Sequence, residues 1–280
     1  MIESESQTAA EVAVALYVYC VLSGELHDWQ FLGLDEQPVR AICAAGLTAL
    51  VHDCPPEPYH GDEDEKVKSW VLAHSEVVDA AWDRSGTVLP LAFNTIVRPG
   101  DGLGADERVV RWLTLEGQHF RRALDRLQGK VELGVQVIWD QRVVSESIAG
   151  GNDEINQLRS KIASSPKGLA YFYQQKIERA LRLAIEAKAE EDYRSCFRQV
   201  TAICPEVISN DLKRIEHRLM IVNLSVLAPR NQVSELGAVL AGLQAEGVEV
   251  RFTGPWPPYS FVGTVASAAP VQPQADREGV

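Results

Sequence analysis

The first half of the chain alternates strand-like and helix-like patterns of hydrophobic and polar residues. Residues 12–22 are β-branched and aromatic enough for a strand buried on both faces. Residues 46–52 predict a second strand, and residues 35–45 between them predict a short helix. Apolar side chains then recur at helical spacing over residues 67–82, which indicates an amphipathic helix that stops at a Ser-Gly pair, residues 85–86.

The same alternation continues to residue 140. Residues 87–97 predict a strand with a proline near its edge or at a bulge, and residues 105–127 predict an amphipathic helix after a glycine-rich turn. Residues 131–139 alternate as a strand. The order strand, short helix, strand, helix, strand, helix, strand predicts an α+β, ferredoxin-like N-terminal domain with one extra element, which we place at residues 12–145.

The second half predicts a smaller α+β domain with long helices. Residues 146–165 are rich in Ser, Gly and Asn and indicate a linker, with the junction at Gly150-Gly151-Asn152. The C-terminal domain then covers residues 166–262, with a helix from Leu169 to about Arg198 as its longest element. Residues 263–280 are rich in Ala, Pro and Gln and predict a flexible, disordered tail.

Composition narrows the class of protein. A length of 280 residues suits about two domains, and 46% hydrophobic with 24% charged residues is ordinary for a globular protein. The five cysteines include no Cys-x-x-Cys pair, which favours buried thiols in a reducing compartment. The chain lacks a basic N-terminal signal region and any run of 18 apolar residues. We therefore expect a cytoplasmic protein with no membrane partner.

The net charge of −12 argues against nucleic acid as a partner, because affinity for phosphate backbones depends on Lys and Arg. The charge is uneven along the chain. Residues 1–157 carry 12 Lys/Arg against 26 Asp/Glu, whereas residues 158–218 carry 12 against 8. These blocks are either solvated faces or surfaces that attract each other or a partner.

Three histidines invite a catalytic or metal interpretation. His74 with Glu76 suggests a general base and its helper, but His74 lies on the apolar face of its predicted helix, which favours a packing role. His52, Cys54 and His60 lack a fourth ligand and the usual zinc spacing. We therefore expect neither a catalytic residue nor a metal.

A phosphate site and a base-stacking site are also weak interpretations. The glycine-rich turn at residues 100–104 precedes a helix, but the carboxylates of Asp101, Asp106 and Glu107 would repel phosphate. The aromatic run at residues 171–173 precedes basic residues and is more typical of a helical core with a solvated rim than of a surface for nucleic-acid bases. We expect no cofactor.

The segment Thr253-Gly-Pro-Trp-Pro-Pro-Tyr-Ser-Phe-Val262 is unusual. Its three prolines restrict the backbone, and Trp256, Tyr259 and Phe261 project large side chains from it. A rigid aromatic segment of this kind either closes the core of the second domain or docks a partner.

This ending and six earlier motifs occur in a fixed order. The motifs are Tyr17-Val-Tyr19, Gly46-Leu-x-Ala-Leu-Val51, His74-x-x-Val-Val78, Leu89-Pro-Leu-x-Phe-x-Thr-Ile96, Gly129-Lys-Val-Glu-Leu-Gly-Val135 and Gly168-x-Ala-Tyr171. The ordered set resembles the gas vesicle protein F/L family (GvpF/GvpL). The chain departs from the family at Ala92 and Asn94, where Arg and Gly are frequent, and at Leu133, where Trp is common. Its length and C-terminal tail favour the L-type.

The resemblance implies a non-enzymatic accessory protein of the gas vesicle, a buoyancy organelle in the cytoplasm. It implies binding to the small hydrophobic wall subunit and to other gas vesicle accessory proteins during nucleation and assembly. It also implies a two-domain α+β fold with a ferredoxin-like N-terminal domain. The candidate partner-binding or structural residues are those of the two strongest motifs: Trp256, Tyr259, Phe261, Phe93 and Thr95. The alternative is a small-molecule enzyme or sensor on a ferredoxin-like scaffold, suggested by His74 and the glycine-rich turn.

Overall fold

The computed structural model describes residues 14–26 and 28–263, which fold into two compact units. The first unit comprises the chain up to Gly129 and resumes at Trp256, and the second is Lys130–Pro255. The mixed helix and sheet class is confirmed. The structure differs from the predicted boundary, because residues 146–163 are almost entirely helical and belong to the second unit. Most of the predicted tail, from residue 264 onward, lies outside the described residues.

The first unit contains one antiparallel sheet built around its first strand. The strands are β1 (Ala15–Ser23), β2 (Phe31–Leu32), β3 (Pro38–Ala44), β4 (Leu47–Cys54), β5 (Leu89–Pro90) and β6 (Ile96–Val97). Their order is β2-β3-β4-β1-β5, and β6 also pairs with β1. Because β1 has neighbours on both edges and is buried on both faces, it is the centre of this core.

Three predictions for this unit are wrong in detail. Residues 38–44 form a strand rather than a helix, because Ala45 and Gly46 take positive φ angles and close a tight hairpin onto β4. The predicted strand 87–97 is two short strands separated by a turn in which the Thr95 amide donates to the Ala92 carbonyl. The predicted helix 105–127 is broken at Glu116.

Three helices cover the sheet of the first unit. They are α1 (Asp64–Ser85), α2 (Ala105–Leu115) and α3 (Gly117–Leu127). The α1 helix buries one face, which consists of Trp70, His74, Val77, Val78, Ala81 and Trp82. It ends where predicted, at Gly86, whose φ of 75° suits the left-handed conformation of a helix C-terminus.

The second unit has its own sheet. Its elements are β7 (Lys130–Asp140), α4 (Gln141–Gly151), α5 (Asp153–Ala163), α6 (Lys167–Ile203), β8 (Glu206–Ser209), β9 (Arg214–Ile215), β10 (Arg218–Pro229), α7 (Val233–Ala241) and β11 (Val248–Trp256). The sheet order is β11-β7-β10-β8, and β9 also pairs with β10. If the four main strands of this unit are numbered by their order along the chain, they lie in the sheet in the order fourth, first, third, second.

This arrangement corrects the placement of the ferredoxin-like fold. The second unit runs in the order strand, helices, two strands, helix and strand, and its first strand lies inside the sheet. This is the ferredoxin-like pattern, so the ferredoxin-like fold belongs to the second unit. The first unit, where we expected it, instead runs through four strands before its first α-helix. No helix among residues 14–26 and 28–263 has the length and apolar character needed to cross a membrane.

The α6 helix is much longer than the strands that it accompanies. Its 37 residues extend over about 55 Å at 1.5 Å per residue. The α5 helix packs against it after a short connection at residues 164–166. The side chains that are half-buried along this part of α6 include Tyr173, Ile177 and Ala184.

Candidate functional site: a tyrosine–histidine network beneath the aromatic ending

Two tyrosines of β1 form the base of the candidate site. Tyr17 and Tyr19 are two residues apart on this strand, and their ring centres are 4.9 Å apart, so their side chains lie on the same side of the sheet. The Tyr17 hydroxyl is 2.9 Å from Nδ1 of His74 on α1. The Tyr19 hydroxyl is 2.8 Å from Nδ1 of His52 on β4. All four side chains are buried, so the first unit has a polar network within its core.

Backbone groups and a third tyrosine complete the network. The backbone amides of Asn94 and Leu34 donate to the hydroxyl oxygens of Tyr17 and Tyr19, at 3.2 and 3.0 Å. Nε2 of His52 is 2.9 Å from the hydroxyl of Tyr59. A neutral imidazole has one donor and one acceptor nitrogen, so both ring positions of His52 are satisfied.

The close approach of the backbone to Tyr19 requires a glycine. A Cβ atom at Gly33 would lie 1.9 Å from the Tyr19 hydroxyl oxygen, which is far inside van der Waals contact. Gly33 therefore allows the following residue, Leu34, to place its amide against that hydroxyl.

Burial keeps the network uncharged at neutral pH. It lowers the pKa of His52 to about 4, although the nearby carboxylates of Asp53 and Asp35 act in the opposite direction. Burial likewise lowers the pKa of His74 to about 4. The pKa values of Tyr17 and Tyr19 are raised well above the ordinary phenol value for the same reason. At neutral pH the two histidines and the two tyrosines are therefore uncharged.

The candidate catalytic and metal residues are not assembled into a reactive site. His74 is buried in its helix face while Glu76 of the same helix is exposed, so the two do not pair. Both ring nitrogens of His52 face tyrosine hydroxyls. Across the described part of the chain, no group of three His, Cys, Asp or Glu side chains could hold a metal ion.

The glycine-rich turn does not present a free helix N-terminus. Gly104 is the residue before α2, and its amide donates at 2.8 Å to Oε2 of Glu107. A carboxylate of the same helix thus already lies at this helix end, where its negative charge disfavours a phosphate.

Two of the predicted motif residues reach the network. The ring centre of Tyr259 is 6.2 Å from that of His74, and the ring centre of Phe93 is 6.1 Å from those of both His74 and Tyr17. Tyr259 remains 37% exposed. The aromatic ending therefore covers the network on the outside of the first unit.

The other three predicted residues have different environments. Phe261 is buried, and its carbonyl accepts a hydrogen bond from Arg126. Thr95 is also buried, and its hydroxyl donates to the Ala92 carbonyl at 2.7 Å, which stabilises a turn. Trp256 is 51% exposed.

Sequence reasoning missed an apolar surface on α1. Val71 is one of the apolar residues at helical spacing within residues 67–82, which predicted its burial, but it is exposed, and the adjacent Leu72 is 61% exposed. Ser75, one turn later, donates a hydrogen bond to the Val71 carbonyl at 3.0 Å and lies beside Tyr259. We refer to Val71, Leu72, Ser75 and Tyr259 as the α1 surface. The available signal was that Val71 and Leu72 lie at the edge of the apolar face that Trp70, His74 and Val78 define at spacings of four residues.

The environments of Phe261 and Trp256 predict a large and a small loss of stability, respectively, when each side chain is truncated to alanine. Phe261→Ala should lower the free energy of unfolding by about 3–5 kcal/mol, because it removes a buried aromatic ring. Trp256→Ala should change it by no more than about 1 kcal/mol, because half of that side chain is already in water. Urea denaturation followed by circular dichroism measures both, and equal losses would contradict these environments.

A family model described as "Gas vesicle synthesis protein GvpL/GvpF" matches residues 15–263. The chain belongs to this family. It is 35% identical over 279 residues to gas vesicle protein L1 of Halobacterium salinarum, covering 92% of this chain and 95% of that protein. It is 26% identical to gas vesicle protein F of a Streptomyces species, covering 82% and 90% of the two chains.

Solved GvpF structures share the fold. The crystal structure of GvpF from Anabaena superposes with a TM-score of 0.73 at 21% identity, covering 89% of this chain and 98% of that one. The GvpF/GvpL family, which the ordered sequence motifs indicated, is therefore confirmed. The family is a class of gas vesicle proteins and not a known class of enzyme.

Proposed function

We propose that this chain is an accessory protein that binds the hydrophobic wall subunit of the gas vesicle, and other accessory proteins, during nucleation and assembly. It acts in the cytoplasm and at the growing vesicle, and it limits premature aggregation of the wall subunit. The observation that carries the proposal is the α1 surface, an exposed apolar area on a strongly acidic unit. Membership of the GvpF/GvpL family, whose members are described as gas vesicle synthesis proteins, supports a gas vesicle component as the partner.

The α1 surface has the properties of a docking site. Val71 and Leu72 expose aliphatic side chains, and Tyr259 adds an amphipathic ring to the same helix face. The ring of Tyr259 rests against His74, which the Tyr17 hydroxyl holds in place. A rigid anchor loses little conformational entropy when a partner binds.

The negative charge of the first unit explains how a protein that exposes the apolar α1 surface stays soluble. Residues 1–129 carry 10 Lys/Arg against 21 Asp/Glu, whereas residues 130–255 carry 16 of each. The negative charge is therefore concentrated in the unit that carries the α1 surface. Mutual repulsion between copies opposes association through this surface, while an apolar segment of a wall subunit is free to bind.

The relatives named L favour the L-type for this chain. The preference comes from the relatives in Halobacterium salinarum and Haloferax mediterranei. Three of these named L are 29–35% identical to the chain, whereas the Haloferax mediterranei protein named F is 27% identical. The Streptomyces proteins named L and F are both 26% identical to it. We therefore propose an L-type role.

Co-purification with the wall subunit tests the α1 surface. Leu72→Glu combined with Tyr259→Ser should lower the amount of wall subunit retained by the full-length chain about tenfold or more, because both anchors are lost. Leu115→Glu is the matched control, since Leu115 is 70% exposed on α2 and lies outside the α1 surface. Retention by the control should equal that of the unmodified chain.

Two results would contradict the proposal. One is a folded, unmodified chain that retains no wall subunit when the two are produced together. The other is equal retention by the double variant and by Leu115→Glu, which would remove the α1 surface from the interface.

A further inference from the structure

The α6 helix of the second unit carries a continuous stripe that is exposed over most of its length. Only at its C-terminal end is a stripe residue, Tyr193, half-buried, with its hydroxyl 3.0 Å from that of Ser209. Eight residues recur at alternating intervals of three and four, the spacing of a helix-pairing seam. They are Leu169, Phe172, Lys176, Arg179, Leu183, Glu186, Glu190 and Tyr193. Leu169, Phe172 and Leu183 are each about half exposed, although they are large and apolar. We refer to these eight residues as the α6 stripe.

The C-terminal end of the stripe forms one wall of an apolar groove. This groove has a volume of about 470 Å³. Glu186, Glu190 and Tyr193 line it from α6, and Leu212, Leu219 and Ile221 line it from the segment around β10. Leu212 and Leu219 are exposed along it. A helix lying along the α6 stripe would therefore run directly into a groove able to accept apolar side chains.

The charges of the stripe are arranged symmetrically about Leu183. Lys176 and Glu190 lie seven residues before and after it, and Arg179 and Glu186 lie four before and three after it. A second α6 helix placed antiparallel, with its Leu183 opposite this one, brings Lys176 opposite Glu190 and Arg179 opposite Glu186. A parallel pair would instead place like charges together, which is unfavourable.

The apolar N-terminal end of the stripe also has a counterpart in this arrangement. In the antiparallel pair, Leu169 and Phe172 of one copy lie opposite the end of the stripe that borders the groove of the other. A surface that is complementary to itself through a two-fold axis is the usual basis of a homodimer.

We propose that the α6 stripe is the interface of a homodimer in solution, with the two α6 helices antiparallel about an axis at Leu183. Leu169 and Phe172 of each copy fill the groove of the other. The apolar contacts supply the affinity, while the exposed charge pairs mainly fix the orientation. This interface lies in the second unit and is separate from the α1 surface.

The contacts that Lys176 and Glu190 already make leave the α6 stripe accessible to a second helix. Lys176 lies over the ring of Phe172, 4.7 Å from its centre, and Glu190 pairs with Arg194 of the next turn at 2.6 Å. The Glu190 side chain is still more than half exposed. Both contacts are within one helix, so neither prevents a second helix from lying on the stripe.

Sedimentation velocity of the full chain over a range of concentrations tests the dimer. Leu183→Glu places two carboxylates against each other on the axis and should raise the dimer Kd about tenfold or more. Leu115→Glu, an equivalent change at an exposed leucine of the first unit, should leave the Kd unchanged.

A charge exchange tests the orientation. Lys176→Glu and Glu190→Lys should each raise the dimer Kd about threefold or more, and the double variant should return it to near the unmodified value. A double variant weaker than either single variant would overturn the antiparallel register.

Three other outcomes would overturn the proposal. The first is a chain that stays monomeric up to roughly 100 μM, a concentration well above the Kd of common dimers. The second is a dimer that Leu183→Glu leaves intact. The third is a monomeric chain that loses wall-subunit binding when Leu183 is replaced by Glu. The last would assign the α6 stripe to that partner instead.

Discussion

Lowering the pH from 7 to 4 is expected to reduce the free energy of unfolding by about 3 kcal/mol for each of His52 and His74. Both have a pKa of about 4 in the folded chain, below the ordinary value of 6.5, because burial disfavours the charged ring. Between these pH values the unfolded chain binds more protons than the folded chain. The stability is therefore fully present above about pH 6.5 and is lost as the pH falls toward 4.

Urea denaturation at pH 7 and at pH 4.5 measures this loss. His52→Gln and His74→Gln should each reduce the difference in unfolding free energy between the two pH values, because glutamine does not titrate. His217→Gln is the control, since His217 is exposed on the surface of the second unit. Carboxylates also titrate in this range, so the test is the difference between variants. An acid dependence unchanged by both buried substitutions would contradict the account of the network.

Tyr19→Ala is expected to lower the free energy of unfolding by about 3–5 kcal/mol, in the range observed for buried aromatic residues. The side chain is fully buried at the centre of the first sheet, and its hydroxyl is shared by His52 and the Leu34 amide. Tyr19→Phe should cost about 1–3 kcal/mol, because it keeps the ring but leaves these two buried polar groups unpaired.

Thermal and urea denaturation of these variants separate packing from hydrogen bonding. Tyr171→Ala provides the matched control, since Tyr171 is largely exposed on α6 and should change stability by less than about 0.5 kcal/mol. A Tyr19→Phe variant as stable as the unmodified chain would show that the hydroxyl contributes nothing, contrary to the network described above.

The strands and helices with a strong internal pattern could be predicted from the sequence. β1, β4, β7 and α1 all have hydrophobic periodicity that does not depend on distant residues. The β3 strand lacks such periodicity and forms because the turn at Ala45 and Gly46 folds it onto β4. The composition of a segment does not show that a turn will pair it with the next strand.

The segment 146–165, which contains the second half of α4 and all of α5, was predicted as linker because its composition is rich in Ser, Gly and Asn. Each helix nevertheless has a clear N-terminal cap. Asp140 accepts hydrogen bonds from the amides of Arg142 and Val143, and Asn152 accepts one from the amide of Ile155. These two side chains were a readable signal for helix starts.

The location of the ferredoxin-like fold could not be predicted, because a sequence does not state which sheet a strand joins. The β7 strand was correctly predicted as a strand but assigned as the last of the first domain, whereas it is the first of the second unit. Moving this one strand transfers the ferredoxin-like order from one unit to the other.

The candidate site was predicted in part. Tyr17 and Tyr19, His74, and the Phe93 motif belong to separate sequence motifs, and the structure brings them together with Tyr259 of the ending. The sequence indicated these residues by resemblance but not that they share one network. Their hydrogen bonds join residues up to 77 positions apart, which no local pattern reveals.

Site-specific photo-cross-linking in cells that produce the chain with the wall subunit tests the central claim most directly. A photoreactive side chain at position 72 should form a covalent adduct with the wall subunit, because Leu72 is an exposed anchor of the α1 surface. The same side chain at position 115 should form none. Adducts at position 115 alone, or at neither position while the chain still co-purifies with the subunit, would contradict binding through the α1 surface.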